Sequence, residues 1–183
     1  MQQIATRLEG PVVLEPLVHG DERGFFVESF RESTMAELGI DDHFVQENHS
    51  RSAYGVVRGM HFQNDPPSAK LVRCARGAIV DVVVDIRPGS RTFGQWEAFE
   101  LDDRAMRIVY VPAGFAHGFA VVSEVADVLY KQTAYWRADA DLGFALDDPD
   151  VGIEWPIPPE ARIVSARDRE APSLPELATA TSG

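Results

Sequence analysis

Short runs in which apolar and polar residues alternate account for most of this chain. The clearest is residues 79–86, Ile-Val-Asp-Val-Val-Val-Asp-Ile, which puts Val80, Val82, Val84 and Ile86 on one face. The opposite face is mixed and carries Asp81 and Asp85. A period of two marks a strand. Similar β-rich stretches occupy 11–18, 71–76, 95–101, 108–112, 119–122 and 127–135. Turn residues separate them, among them Gly20-Asp21, Arg76-Gly77, Arg87-Pro88-Gly89-Ser90, Asp102-Asp103 and Pro112-Ala113-Gly114. One short helix is expected early: Ser29 with Glu32 forms a capping-box pattern, Met35 and Leu38 recur at three, and Gly39 suits a C-terminal stop. Many short strands and a single helix predict an all-β sandwich or jelly roll rather than βαβ units. Five of the twelve prolines fall at or beyond Pro156, so that region reads as an irregular C-terminal wrap. The pattern implies one domain over 1–175 and a disordered tail over 176–183.

Composition narrows the setting. The 183 residues are enough for one domain with its own core. With 17 basic and 29 acidic side chains the net charge is −12, which argues against nonspecific binding to nucleic acid or to an anionic membrane. A small anion remains possible, because a pyrophosphate needs only a few placed Arg and Lys side chains. Cys74 is the sole cysteine, so no internal disulfide can form. No apolar run approaches the ~18 residues of a membrane span, and the first residues lack a signal-peptide layout. The expected setting is the cytoplasm.

The candidate chemistry centres on two of five histidines. His19, His43 and His49 have undistinguished surroundings. His61 lies in the strand-like run Val57-Arg58-Gly59-Met60-His61-Phe62-Gln63, and His117 in Pro112-Ala113-Gly114-Phe115-Ala116-His117-Gly118. The Pro-x-Gly-x-x-His spacing resembles the second metal motif of the cupins, which are small β-barrels. The first motif would need His-x-His, but Gln63 stands where the second imidazole belongs, and Lys70 and Arg73 follow. A barrel is suggested and a metal is disfavoured, since two histidines make a weak shell beside a lysine. Without a metal, His61 can act as a base near neutral pH. Lys70 can face a developing oxyanion, Tyr130 can donate a proton, and Asp168 can orient the base. That set suits proton abstraction beside a ketone. Spacing alone leaves Tyr130 equally a core strand residue and Lys70 a surface lysine.

Read together, the segments resemble the dTDP-4-dehydrorhamnose 3,5-epimerase family from about Val12 to Pro172. The resemblance is carried by Gly20-Asp21-Glu22-Arg23-Gly24-Phe25-Phe26-Val27-Glu28, Phe44-Val45-Gln46-Glu47-Asn48-His49-Ser50 and Arg58-Gly59-Met60-His61-Phe62-Gln63. It continues in Ala69-Lys70-Leu71-Val72-Arg73, Asp81-Val82-Val83-Val84-Asp85-Ile86-Arg87 and Gly114-Phe115-Ala116-His117-Gly118-Phe119. It ends in Ile153-Glu154-Trp155-Pro156 and Ser165-Ala166-Arg167-Asp168. It implies a cupin-type jelly-roll barrel that dimerises and uses neither metal nor organic cofactor.

Carried over by position, His61 matches the base, Asp168 its dyad partner, Tyr130 the acid on the opposite sugar face, and Lys70 the group facing the 4-keto oxygen. Arg23, Phe26, Glu28, Gln46, Asn48, Arg58, His117 and Arg167 match positions that hold the dTDP-sugar. The segment from Arg23 to Glu28 would reach into the site of the second copy in a homodimer. The chain departs from the family at Trp136, where a tyrosine usually packs on the bound sugar nucleotide, and at Asp141, where a longer Glu is common. Those departures leave inversion at C3, C5 or both open. On the residues alone, a metal-dependent cupin enzyme and a non-catalytic sugar-nucleotide binder also stay open.

Overall fold

The structure, a computed structural model, describes residues 1–180. In chain order its strands are β1 (Gln2–Ile4), β2 (Val12–Glu15), β3 (Val18–Asp21), β4 (Gly24–Val27), β5 (Gln46–Ala53), β6 (Val57–Gln63), β7 (Lys70–Arg76), β8 (Ala78–Asp85), β9 (Trp96–Asp102), β10 (Ile108–Val111), β11 (Phe115–Val121), β12 (Val125–Gln132) and β13 (Asp141–Gly143). Helix α1 (Glu32–Glu37) follows β4, and α2 (Ala166–Arg169) and α3 (Leu174–Ala180) close the chain. A six-stranded sheet runs β1-β2-β10-β7-β12-β5, and a five-stranded sheet runs β13-β6-β11-β8-β9. The pairings between strands are antiparallel. The hairpin β3–β4 stands apart as a two-stranded ribbon. This is the expected jelly-roll barrel.

The two faces of β8 do different work. Ile79 and Val83 join Val72, Val109, Phe115, Phe119 and Val128 in the core between the sheets. Val82 and Val84 face the other way, into a second cluster with Met60, Ala116, Phe144, Trp155, Ile157 and Leu174. The proline-rich wrap therefore covers the outside of the five-stranded sheet, as the sequence implied. It also contains helices. The all-valine face of β8 lies under this wrap, and the mixed face with Asp81 and Asp85 points into the barrel, where both carboxylates are fully buried.

Two expectations change, and one strand lies outside those expected. The capping box does not form: α1 begins after Arg31 with no side-chain cap, so Ser29 lies outside it, although Gly39 (φ 80°) stops the helix as expected. Strand β5 carries no apolar alternation (Gln-Glu-Asn-His-Ser-Arg-Ser-Ala) and is held by its eight-residue register with β12. The tail expected to be disordered from 176 is helical through Ala180, as part of α3, while residues 181–183 lie outside the described residues. Among the described residues, no helix is long and apolar enough to cross a membrane.

Candidate active site

Strands β6 and β11 pair so that His61 lies opposite His117. At this point the backbones come very close. A Cβ on Gly59 (φ 130°) would lie 2.6 Å from the Gly118 Cα, so only glycine lets the two strands meet. Beside this crossing opens a cavity of about 540 Å³ between the two sheets. His61, Lys70, Tyr130 and Asp168 all line it, as do Arg58, His117 and Arg167. Seven of the residues read from sequence therefore share one space.

His61 is held by Asp168, whose Oδ1 lies 2.7 Å from His61 Nε2. With Nε2–H donating to the carboxylate, Nδ1 keeps its lone pair. Asp168 itself is buried on α2, and its amide N–H donates to the Ser165 Oγ that caps the helix. Burial pushes the Asp168 carboxyl upward, but the His61 bond and charge and the Gly59 and Ser165 contacts outweigh it, so the group sits below the ordinary carboxylate value. It is a formed anion beside the imidazole.

Lys70 heads β7 with its ammonium 5.8 Å from the centre of the Tyr130 ring. Burial lowers its pKa below the usual lysine value, while the charges of Asp141 and Asp81 act in the opposite direction. Tyr130 is raised, first by burial and then by Asp141, so its phenol keeps its proton well past neutrality. The reading of Lys70 as a surface lysine does not hold: the side chain faces the cavity.

His117 has its own carboxylate, with Asp81 Oδ2 2.7 Å from its Nε2. The other oxygen of Asp81 is buried without a partner. Sequence reading missed this partnership and also Ser165. The available signal was an aspartate in the middle of a valine strand, a position that needs a buried partner.

The remaining candidates gather at the rim or lie elsewhere. Gln46 and Asn48 share the face of β5 that carries Ser50, a cavity residue. Gln46 Nε2 donates to Asn48 Oδ1 at 2.9 Å, and the Trp136 amide donates to Gln46 Oε1 at 2.9 Å. Arg58 donates twice to Ser52 Oγ, at 3.1 and 3.0 Å. Trp136, half exposed, donates its indole N–H to Asp141 Oδ2 at 3.0 Å, and Arg167 Nη1 reaches the same oxygen at 2.7 Å. Arg23, Phe26 and Glu28 are not in this cavity. They belong to the projecting hairpin and the turn after it, with Arg23 paired to Asp21, Glu28 to Arg31, and Phe26 bare to solvent. Among the described residues, no three His, Cys, Asp or Glu side chains converge as a metal shell would require.

The arrangement contains an imidazole bonded to a buried carboxylate, a cation that loses its proton more readily than an ordinary lysine, and a protonated phenol. Such groups can move protons and face a developing oxyanion. The family model for dTDP-4-dehydrorhamnose 3,5-epimerase matches residues 5–176. The chain is 45% identical over 174 residues to the dTDP-4-dehydrorhamnose 3,5-epimerase of Methanothermobacter thermautotrophicus, covering 94% of each chain. It superposes with a TM-score of 0.92 on a Legionella pneumophila dTDP-6-deoxy-D-glucose-3,5-epimerase in complex with dTDP-4-keto-L-rhamnose, at 43% identity over 95% of this chain and 93% of that one. A 3'-monoepimerase from Streptomyces bikiniensis in complex with dTDP-quinovose gives a TM-score of 0.88 at 35% identity, over 96% and 89% of the two chains.

Proposed function

The chain belongs to the dTDP-4-dehydrorhamnose 3,5-epimerase family, and on that premise we propose that His61 is the base that draws the proton from carbon beside the 4-ketone of the sugar. The enzyme is an isomerase that inverts C3, C5 or both of dTDP-4-dehydro-6-deoxy-D-glucose, a step in deoxysugar biosynthesis. As the carbon gives its proton to His61 Nδ1, the electron pair moves onto the 4-keto oxygen. The Lys70 ammonium stabilises that oxygen as an enolate. Tyr130 returns a proton to the carbon from the other face, which inverts the stereocentre. Asp168 keeps the imidazole in the basic tautomer and stabilises the imidazolium that forms. Only protons move in these steps, so they call for no metal or organic cofactor.

Arg58, His117 and Arg167, with Gln46, Asn48, Asp141 and Trp136 at the rim, hold the dTDP-sugar in this reading. The hairpin with Arg23, Phe26 and Glu28 completes the cavity of a second copy, so activity depends on a homodimer in the cytoplasm. Its bare Phe25 and Phe26, 61% and 71% exposed, support that assignment, since large apolar side chains displayed together mark a contact surface.

What carries the proposal is the meeting of His61–Asp168, Lys70 and Tyr130 in one cavity. The test is incubation with dTDP-4-keto-6-deoxyglucose in D₂O, followed by NMR. Deuterium at C3, C5 or both supports the reaction and fixes the carbon. Binding without any wash-in would overturn it.

A further inference from the structure

Helix α2 carries Asp168 to His61, yet little apolar burial fixes it. It is four residues long, and Asp168 is its only buried residue. Upstream the chain is tied where the Val57 amide donates to the Ile163 carbonyl at 3.0 Å, and downstream where the Ala145 amide donates to the Pro172 carbonyl at 2.8 Å. Between these ties Val164 packs partly against the second cluster, and the helix itself is held by polar contacts. One is the dyad itself, and another runs from the residue next to it.

Arg167 Nη1 donates to Asp141 Oδ2 at 2.7 Å, and Arg167 Nη2 donates to the main-chain oxygen of Asp141 at 2.8 Å. Two bonds from one planar guanidinium to one residue fix its orientation as well as its distance. The Trp136 indole N–H donates to the same Oδ2 at 3.0 Å, a second hold on the carboxylate. Burial pushes the Asp141 carboxyl upward, but the Arg167 and Trp136 hydrogen bonds bring it below the ordinary value, so it is charged as it makes these contacts. Asp141 sits on β13, the strand paired to β6 with Gly143 opposite His61. The latch therefore runs from the strand beside the base to the helix that holds the base's partner.

We propose that Asp141 is a positioning residue for the reaction: by clamping Arg167, with Trp136 as second donor, it fixes α2 and so holds the Asp168 carboxylate on His61. This rests on the reading of His61 as the base. The Arg167 side chain is 52% exposed, so the ion pair itself contributes little stability. Its effect is geometric and appears in turnover.

The experiment compares Asp141→Asn, Asp168→Asn and the double variant by deuterium wash-in at saturating substrate, across pH. Asp141→Asn lowers kcat about 10–100-fold, the usual size for loss of a supporting contact behind a reacting group. It also displaces the acid limb of the pH profile in the direction that Asp168→Asn does; the alkaline limb does not enter the comparison, because Asp141 acts on Lys70 directly. Because the two act in series, the double variant falls no more than about threefold below Asp168→Asn alone. Trp136→Phe keeps the ring and removes only the N–H, giving a smaller loss in the same direction. Full multiplication of the two losses, or a defect of Asp141→Asn confined to KM, overturns the latch. Normal turnover in His61→Asn would instead overturn the reading of the base, so the two failures are distinct.

Discussion

His61 and His117 face each other across one strand pairing, each bonded at 2.7 Å to a carboxylate, and they are built for different tasks. The His61 side chain is 27% exposed and its Asp168 comes from a short polar helix. The His117 side chain is 8% exposed and its Asp81 is wholly buried in the middle of β8. A base must meet substrate and change its proton, so one side of its ring has to remain open. A group that only holds a ligand can be fixed in the core. In the proposed reaction the same hydrogen bond serves proton transfer in one place and rigidity in the other, and the two places differ in burial.

The sharpest way to break this comparison is to remove each imidazole. His61→Asn should lower kcat by ~10²–10⁴, the usual cost of losing a general base. His117→Asn should act mainly on KM, by about tenfold, as expected for losing one hydrogen bond that holds the ligand without entering the proton transfer. Steady-state kinetics on both variants checks this. Equal kcat losses would mean that the two histidines share the chemistry.

A smaller effect separates the carboxylates. Asp81→Asn changes a fully buried group and should lower unfolding free energy by about 1–3 kcal/mol in urea titrations, because a buried polar bond is lost with no water to replace it. Asp168→Asn should lower stability less and turnover more. Its folded pKa is depressed, so the stability it contributes is present above the unfolded carboxylate value and lost only as pH falls through the folded one. Near neutral pH that contribution is intact in the wild type. The comparison fails if Asp168→Asn is the less stable variant and Asp81→Asn the less active.

The sequence showed which residues alternate but not which face is covered. Val80, Val82, Val84 and Ile86 share one face of the 79–86 run, and the structure lays that face beneath the wrap while Asp81 faces the barrel. Both faces are apolar enough to bury, and only the path of a distant segment decides between them. Strand β5 could not be read, because its polar residues pair with β12 by register and not by pattern. The site was far more legible. His61, Lys70 and Asp168 sit in segments whose resemblance to a known family is specific, Tyr130 follows by position, and the four scattered positions line one cavity in the fold. The Asp81–His117 and Trp136–Asp141–Arg167 contacts were not visible, since each depends on side-chain direction across separate elements.

The smallest expected effect separates the two pairs at Lys70. Its ammonium has a lowered pKa because burial outweighs the opposing pull of Asp141 and Asp81. Turnover should therefore fall on the alkaline side as Lys70 loses its proton and the enolate oxygen loses its partner. Tyr130 titrates on the same side, but burial and then Asp141 raise its pKa, which moves its own loss of a proton toward higher pH. Asp81→Asn removes one of the charges that hold Lys70 protonated. The folded pKa of Lys70 then drops further, and the alkaline limb of kcat moves to lower pH. Asp168 is not among the groups acting on Lys70, so Asp168→Asn should leave that limb in place while it lowers the plateau. Lys70→Arg makes the opposite displacement, because a guanidinium stays charged throughout the range. Profiles of kcat against pH for the three variants decide the matter. If the limb moves equally in Asp81→Asn and Asp168→Asn, the buried dyad has no electrostatic reach of its own, and the limb belongs to a group that both carboxylates touch.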